Sequence, residues 1–227
     1  MAEFEHLEEL VIGLHERGEL GYADTPDEFV RLKSDRMSPN FFNGRGIMSF
    51  SEALEMPLQK QMRLARLAAE GYAYGLDQTK NKFDHMINLP QAVNPIAGAV
   101  ALISGVSLLY LRTPEGEKGY GKHKPIEGEY MSGDEVVGID NVISNADTKK
   151  EVTDPIEKAG LLIPEFVVLM DREEGGEATL ESAGYDLTSV IGMGAATRIL
   201  LDAGRIRPEQ AEWSFEYIDQ YNVTIDN

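Results

Sequence analysis

Phe4, Leu7, Leu10, Val11 and Leu14 recur at helical spacing with acidic residues between them, which predicts an amphipathic helix over residues 3–17. Gly18 and Gly21 then close it. Residues 28–48 mix aromatics, basic residues and turn formers. They read as a short strand, a turn at Ser38, Pro39 and Asn40, a second short strand and a glycine turn. A long helix follows from Ser51 to about Gly75, or from near Pro57 if that proline marks its first turn.

Beyond this point the pattern alternates. Strands are predicted at residues 85–89, 107–111, 135–140, 165–170 and 187–191, and helices at 95–104, 148–158, 178–183, 195–203 and 209–221. Thr148 followed by Glu151 has the form of a capping box. Runs such as LLYL, VVGI and FVVLM suit strands buried on both faces. The expected fold is therefore α/β: a central, mainly parallel twisted sheet flanked by helices, with residues 51–227 as the core. Residues 1–50 are expected to form a small hood of helix and short strands within the same domain. Ligands of such sheets sit beyond the carboxyl ends of the strands. Chemistry is accordingly sought at residues 88–94, 112–124, 140–148 and 171–176.

Composition narrows the classes. A chain of 227 residues is long enough to bury about 70% of its unfolded surface. It carries 21 basic and 39 acidic residues, a net charge of −18, so nucleic acid and anionic membranes are poor partners. There are no cysteines, which excludes disulfides, thiolate metal sites and thiol nucleophiles. His6, His15, His85 and His123 show no ligand spacing. The first twenty residues lack the basic segment and apolar run of a signal peptide, and no run of about 18 apolar residues occurs, so a cytoplasmic protein is expected.

Several side chains could serve an anionic, planar ligand. Phe41 and Phe42 could form an aromatic wall, or could simply be packed strand residues. Arg172 could fork onto a carboxylate, or could pair with Glu173 or Glu174. Residues 112–124, RTPEGEKGYGKHK, set Arg112, Lys118, Lys122, His123 and Lys124 among glycines, as a solvated loop would or as a closing cationic loop would. Gly192 and Gly194 make half of a dinucleotide fingerprint, and a plain strand-to-helix turn accounts for them. Trp213, Phe215, Tyr217 and Tyr221 are expected to pack the last helix on the sheet.

LKSDRMSPNFFN at 32–43, YGKHKPIEG at 120–128 and VVLMDREEGG at 167–176, in that order, resemble the orotate phosphoribosyltransferases. The resemblance runs from about residue 29 to residue 201. It implies transfer of phosphoribose from phosphoribosyl pyrophosphate to orotate, with Mg²⁺ accompanying the donor, in a homodimer whose loop reaches the partner's site. It places Lys33, Phe41, Phe42 and Arg172 on the base side. Lys118 and Arg112 match the cations that stabilise the departing pyrophosphate, although Thr113 stands where the family has a second lysine. Asn88, Leu89, Tyr120 and Lys122 fall on the pyrophosphate side, Asn88 in place of a glycine; asparagine is the residue that best tolerates a left-handed backbone.

The resemblance breaks at the sugar-phosphate loop, VVGIDNVISNADTKKE at 136–151. Asp140 keeps the first of two ribose-binding acids, and Asn141 replaces the second. Ser144, Asn145, Ala146, Asp147 and Thr148 replace a glycine-rich turn whose amides would cradle phosphate. A carboxylate there repels phosphate by about 4 kcal/mol at roughly 4 Å and an effective dielectric of about 20. Asp147 is expected to cap the next helix where phosphate would otherwise sit. Asp35 likewise replaces a glycine and adds negative charge near the base side. Three functions remain open from the sequence: the orotate transferase, a binding or regulatory protein on the same fold, and a transferase with a changed base or donor.

Overall fold

The structure is a computed structural model and describes residues 4–32, 35–112, 124–144 and 149–222. Its six-stranded sheet has the order β10(Asp186–Gly192), β9(Leu162–Asp171), β8(Glu135–Ile143), β5(His85–Asn88), β6(Ser107–Leu111), β7(Ile126–Glu127). Every neighbouring pair is parallel except β6 with β7. The short antiparallel edge strand β7 has no counterpart among the expected elements.

The sheet is covered on both faces, as the unbroken apolar runs require. One core joins Val137, Ile139, Val167 and Leu169 to α1(Leu7–Glu16), α2(Leu58–Asp77), α3(Asn94–Ser104) and α6(Met193–Asp202). The other joins Val136, Ile143, Phe166 and Val168 to α4(Lys149–Lys158) and α5(Gly176–Ser182). Successive residues of β8 and β9 thus serve opposite faces. The last helix, α7(Pro208–Tyr221), packs against α6; its Phe215 packs on the core beside Arg198, whereas Trp213 turns to the hood and meets Phe29 edge-on at 5.8 Å.

The hood differs most from expectation. β1(Leu20–Tyr22) pairs antiparallel with β4(Asn40–Phe42), and β2(Val30–Arg31) pairs with β3(Met37–Ser38). The strands on either side of Pro39 therefore do not pair with each other. Gly21 is a strand residue and not a helix stop: the Phe41 ring lies across it, where a Cβ would come within 2.1 Å of the ring. α2 begins after Pro57, and Gln61 ties down the preceding segment through the Ser51 amide and the Ser51 and Met56 carbonyls. β8 runs on to Ile143, three residues beyond the expected end at Asp140, which makes Asn141 a strand residue instead of the opening of a loop.

Candidate functional site

The carboxyl ends of β5, β6, β8 and β9 lie along one edge of the sheet, and the hood approaches the ends of β8 and β9. At the end of β5, Asn88 is fully buried. Its Oδ1 accepts the Leu111 N–H at 2.8 Å and its Nδ2 donates to Asn94 Oδ1 at 2.5 Å. Asn94 in turn donates to the Tyr110 hydroxyl at 2.7 Å. Asn88 is thus extended, with its carboxamide joining two strand ends to the start of α3; it does not take the left-handed form expected of a glycine replacement. Leu89 is buried and donates its N–H to Ile139 O at 2.9 Å; the Pro90–Gln91 peptide is cis.

At the end of β6, Arg112 Nε lies 2.9 Å from Glu127 Oε1, both side chains half exposed. Asp140 on β8 is partly exposed, and its Oδ1 accepts the Asn141 N–H at 2.8 Å. The buried Tyr72 hydroxyl donates to the Asp140 carbonyl at 2.8 Å. Burial first, and then the Asp140 charge, hold that phenol well above its ordinary pKa, so it stays a neutral donor. Asn141 is buried and spends its amide on the hood, donating to Asn43 O at 2.6 Å. Ser144 closes the segment, its carbonyl lying where a Cβ on Gly176 would meet it at 2.3 Å.

The end of β9 holds the densest polar constellation. Arg172 is buried; its Nε donates to Glu174 Oε1 at 2.7 Å, and its Nη2 donates to Ser38 Oγ at 2.8 Å and to Asn40 O at 3.3 Å. Asn40 donates onward to Ser214 at 2.9 Å, and Ser214 bonds Thr197. Both sequence readings of Arg172 meet here: it pairs with Glu174, yet inside the protein and against the hood strand that carries Phe41. Glu173 adopts a left-handed backbone, φ 57°, and its Oε2 accepts the Gly194 N–H at the first turn of α6. A resident carboxylate therefore fills the glycine turn that resembles half of a nucleotide fingerprint. Asp171 is buried and accepts the Glu173 N–H. Burial, reinforced by the carboxylates of Glu173, Glu177 and Glu174 and opposed by that hydrogen bond, lifts its pKa to about 6.

The proposed aromatic wall is divided. Phe41 is exposed on the outer face of β4, whereas Phe42 points inward and is buried in the core, because neighbours in a strand alternate sides. Asp35 keeps the left-handed backbone, φ 62°, that a glycine would adopt, and its carboxylate turns outward to Arg31 at 2.9 Å. It therefore does not charge the base side as expected. Lys33, Lys118, Tyr120, Lys122, Asn145, Ala146, Asp147 and Thr148 lie outside the described residues. Sequence reasoning offered Glu174 as one of two partners for Arg172 and missed Arg36 and Tyr217, which stand beside that pair.

Two cavities among the described residues lie away from this site. A cavity of about 590 Å³ lined by Asp84, His85, Glu129, Tyr130, Met131 and Asp134 opens at the opposite edge of the sheet. One of about 330 Å³ lies between α1 and α2. Among the described residues no group of three or more His, Asp or Glu is arranged to hold a metal ion. No described helix is long and apolar enough to cross a membrane.

No protein-family model matches the chain. It is 28% identical over 162 residues to an orotate phosphoribosyltransferase of Caenorhabditis elegans, a match covering 71% of this chain and 66% of that protein. It is 29% identical over 160 residues to an orotate phosphoribosyltransferase of Thermococcus gammatolerans, covering 70% of this chain and 78% of that one. The solved structure of Leishmania donovani UMP synthase superimposes with a TM-score of 0.78 at 29% identity, over 96% of this chain and 43% of that chain. The chain thus spans less than two thirds of the C. elegans and Leishmania relatives. Its fold is that of the type I phosphoribosyltransferases.

Proposed function

We propose that this chain, a homologue of the orotate phosphoribosyltransferases, transfers the phosphoribosyl group of phosphoribosyl pyrophosphate to orotate, giving orotidine 5′-monophosphate and pyrophosphate in pyrimidine nucleotide synthesis. The observation that carries this reading is Arg172. Two segments more than 130 residues apart bring a guanidinium, the fork best suited to a carboxylate, against the strand that presents Phe41. Orotate is a flat anion that needs both.

In this mechanism orotate stacks on Phe41 with its carboxylate on Arg172, and Lys33 adds charge beside the base. Asp140 accepts the ribose hydroxyls. The ring nitrogen forms a bond to C1′ as the C1′–oxygen bond breaks and pyrophosphate departs with the electron pair, and the proton the nitrogen loses leaves on that pyrophosphate. Arg112 and Lys118 offset the charge that develops on the leaving group, and Tyr120, Lys122, Asn88 and Leu89 frame it. Magnesium arrives with the donor's diphosphate, which supplies the oxygen ligands it prefers. Two chains pair as a homodimer, for which Leu102 and Ile103, exposed on α3, offer an apolar face.

Calorimetric titration of phosphoribosyl pyrophosphate with Mg²⁺, followed by the loss of orotate absorbance, tests the reading. Micromolar donor binding and orotate consumption are expected. Absence of binding by both substrates, with no turnover, overturns it. A second reading, a pyrimidine-binding protein without turnover, has one observation behind it. Asn141 is buried and committed to Asn43, so of the two ribose-side positions only Asp140 supplies a carboxylate. Donor or orotate binding without turnover selects that reading.

A further inference from the structure

The end of β9 holds a carboxylate that the reaction above leaves unused. Glu174 is 3% exposed, and only one of its oxygens is bonded, to Arg172 Nε at 2.7 Å. The other, Oε2, is buried without a hydrogen-bond partner. Arg36 Nη1 is also buried without a hydrogen-bond partner, and the two atoms face each other across 3.9 Å. Arg36 is otherwise held by its guanidinium stacking over the Tyr221 ring, 4.4 Å from the centroid. Two guanidinium groups therefore flank one buried carboxylate, which is hydrogen-bonded to the first and just out of reach of the second. Tyr217 lies beside all three: burial, and then the Glu174 charge, push its phenol up to about 12, and Arg172 and Arg36 oppose that shift.

A buried carboxylate keeps a guanidinium neutralised, and a second anion can take that guanidinium only if the first finds another partner. We propose that Glu174 is a resident carboxylate that holds Arg172 until an incoming carboxylate displaces it, and that Arg36 receives the displaced Glu174. The inference rests on the proposed function and adds two positioning residues to it. With Arg36 in place, binding exchanges one guanidinium–carboxylate pair for another, so no charge is left buried and unpaired. A pyrimidine without a carboxylate cannot make the exchange and finds Arg172 already occupied. The device selects orotate over uracil by what must be displaced, without Arg36 or Glu174 touching the ligand.

The test is a double-mutant cycle on the full chain, read by calorimetric titration of orotate and of uracil. Arg36→Gln should weaken orotate about tenfold, within the range found for coupled neighbours, and leave uracil unchanged. Glu174→Gln should tighten orotate, and adding Arg36→Gln to it should have no further effect, because no displaced charge remains to be received. The KM for orotate should follow these changes and the KM for phosphoribosyl pyrophosphate should not. An Arg36→Gln effect of equal size with and without Glu174 overturns the exchange and assigns Arg36 a direct charge effect. A crystal structure of the unaltered chain with orotate gives a second measurement that does not depend on the variants folding. Glu174 bonded to Arg36 supports the inference, and Glu174 still on Arg172 beside bound orotate overturns it. If the unaltered chain binds no orotate, the functional reading falls and takes this inference with it; binding with an additive cycle removes the inference alone.

Discussion

β8 and β9 run side by side with Ile143 opposite Asp171, yet their carboxyl ends are organised differently. At the end of β9, residues 171–174 all bond within the protein. Arg172 reaches Ser38 and Asn40 in the hood, Glu173 reaches Gly194, and Glu174 holds Arg172. At the end of β8, Asp140 takes its own neighbour's amide, Asn141 reaches Asn43, and Ser144 rests its carbonyl against Gly176. The first arrangement is built around a buried guanidinium–carboxylate pair, the second around a carboxylate on its neighbour's amide, a neutral amide contact and close backbone approach. A charged network is costly to break at one member, because the remaining charge stays buried. The departures from the family pattern at Asn141 and Ser144 fall on the β8 side. On the β9 side the residues that match the family are those most entangled with the rest of the fold.

The sharpest way to break this contrast is Arg172→Gln. It strands Glu174 without its hydrogen-bonded guanidinium and should cost about 3–5 kcal/mol, read as a lowered urea midpoint, together with loss of orotate binding. Asp171 comes next. Its pKa, about 6 in the fold, lies above the usual 3.8, so the folded chain binds the proton more tightly than the unfolded chain does. Stability from this group therefore rises as pH falls through about 6, is complete near 3.8, and is absent above 6. Asp171→Asn should flatten that slope and raise stability at pH 7 by up to about 3 kcal/mol, read by thermal melts across the pH range. On the β8 side, Gly176→Ala drives a methyl into the Ser144 carbonyl and should cost about 1–3 kcal/mol with no change in pH dependence. The smallest effect belongs to Asp35→Gly. It relaxes a left-handed backbone and loses only an exposed ion pair, so its melting temperature should stay within the shift expected of about 1 kcal/mol.

Much of the β/α core could be read directly. Strands at 107–111, 165–170 and 187–191 fall where expected because each carries a short apolar run, unbroken in β9, which is buried on both faces, and helices between them must carry a one-sided stripe. The hood could not be read this way. β1 has three residues, and two of them, Gly21 and Tyr22, give no alternation to follow. β3 has two. Strands this short bury too little to specify a partner from their own pattern, so pairing follows from how Phe42 and Leu20 enter the core and how Phe41 lies over Gly21. At the site, the sequence singled out Arg172, Phe41, Asp140 and Asn88. For Asn88 it anticipated a left-handed backbone, whereas the residue is extended and its buried side-chain amide bonds the Leu111 N–H and Asn94.

What the chain determined by itself is the alternation of strand and helix, the burial of the sheet on both faces, and the placing of polar residues at strand ends. These follow from local periodicity, which each segment carries in its own residues. Only the tertiary structure decided which acid Arg172 takes, which of two adjacent phenylalanines faces outward, and that Arg36 stands opposite Glu174. A charge or a ring is the same in any fold. Its partner is set by groups more than 130 residues away, brought within hydrogen-bonding distance when the hood closes on the end of β9.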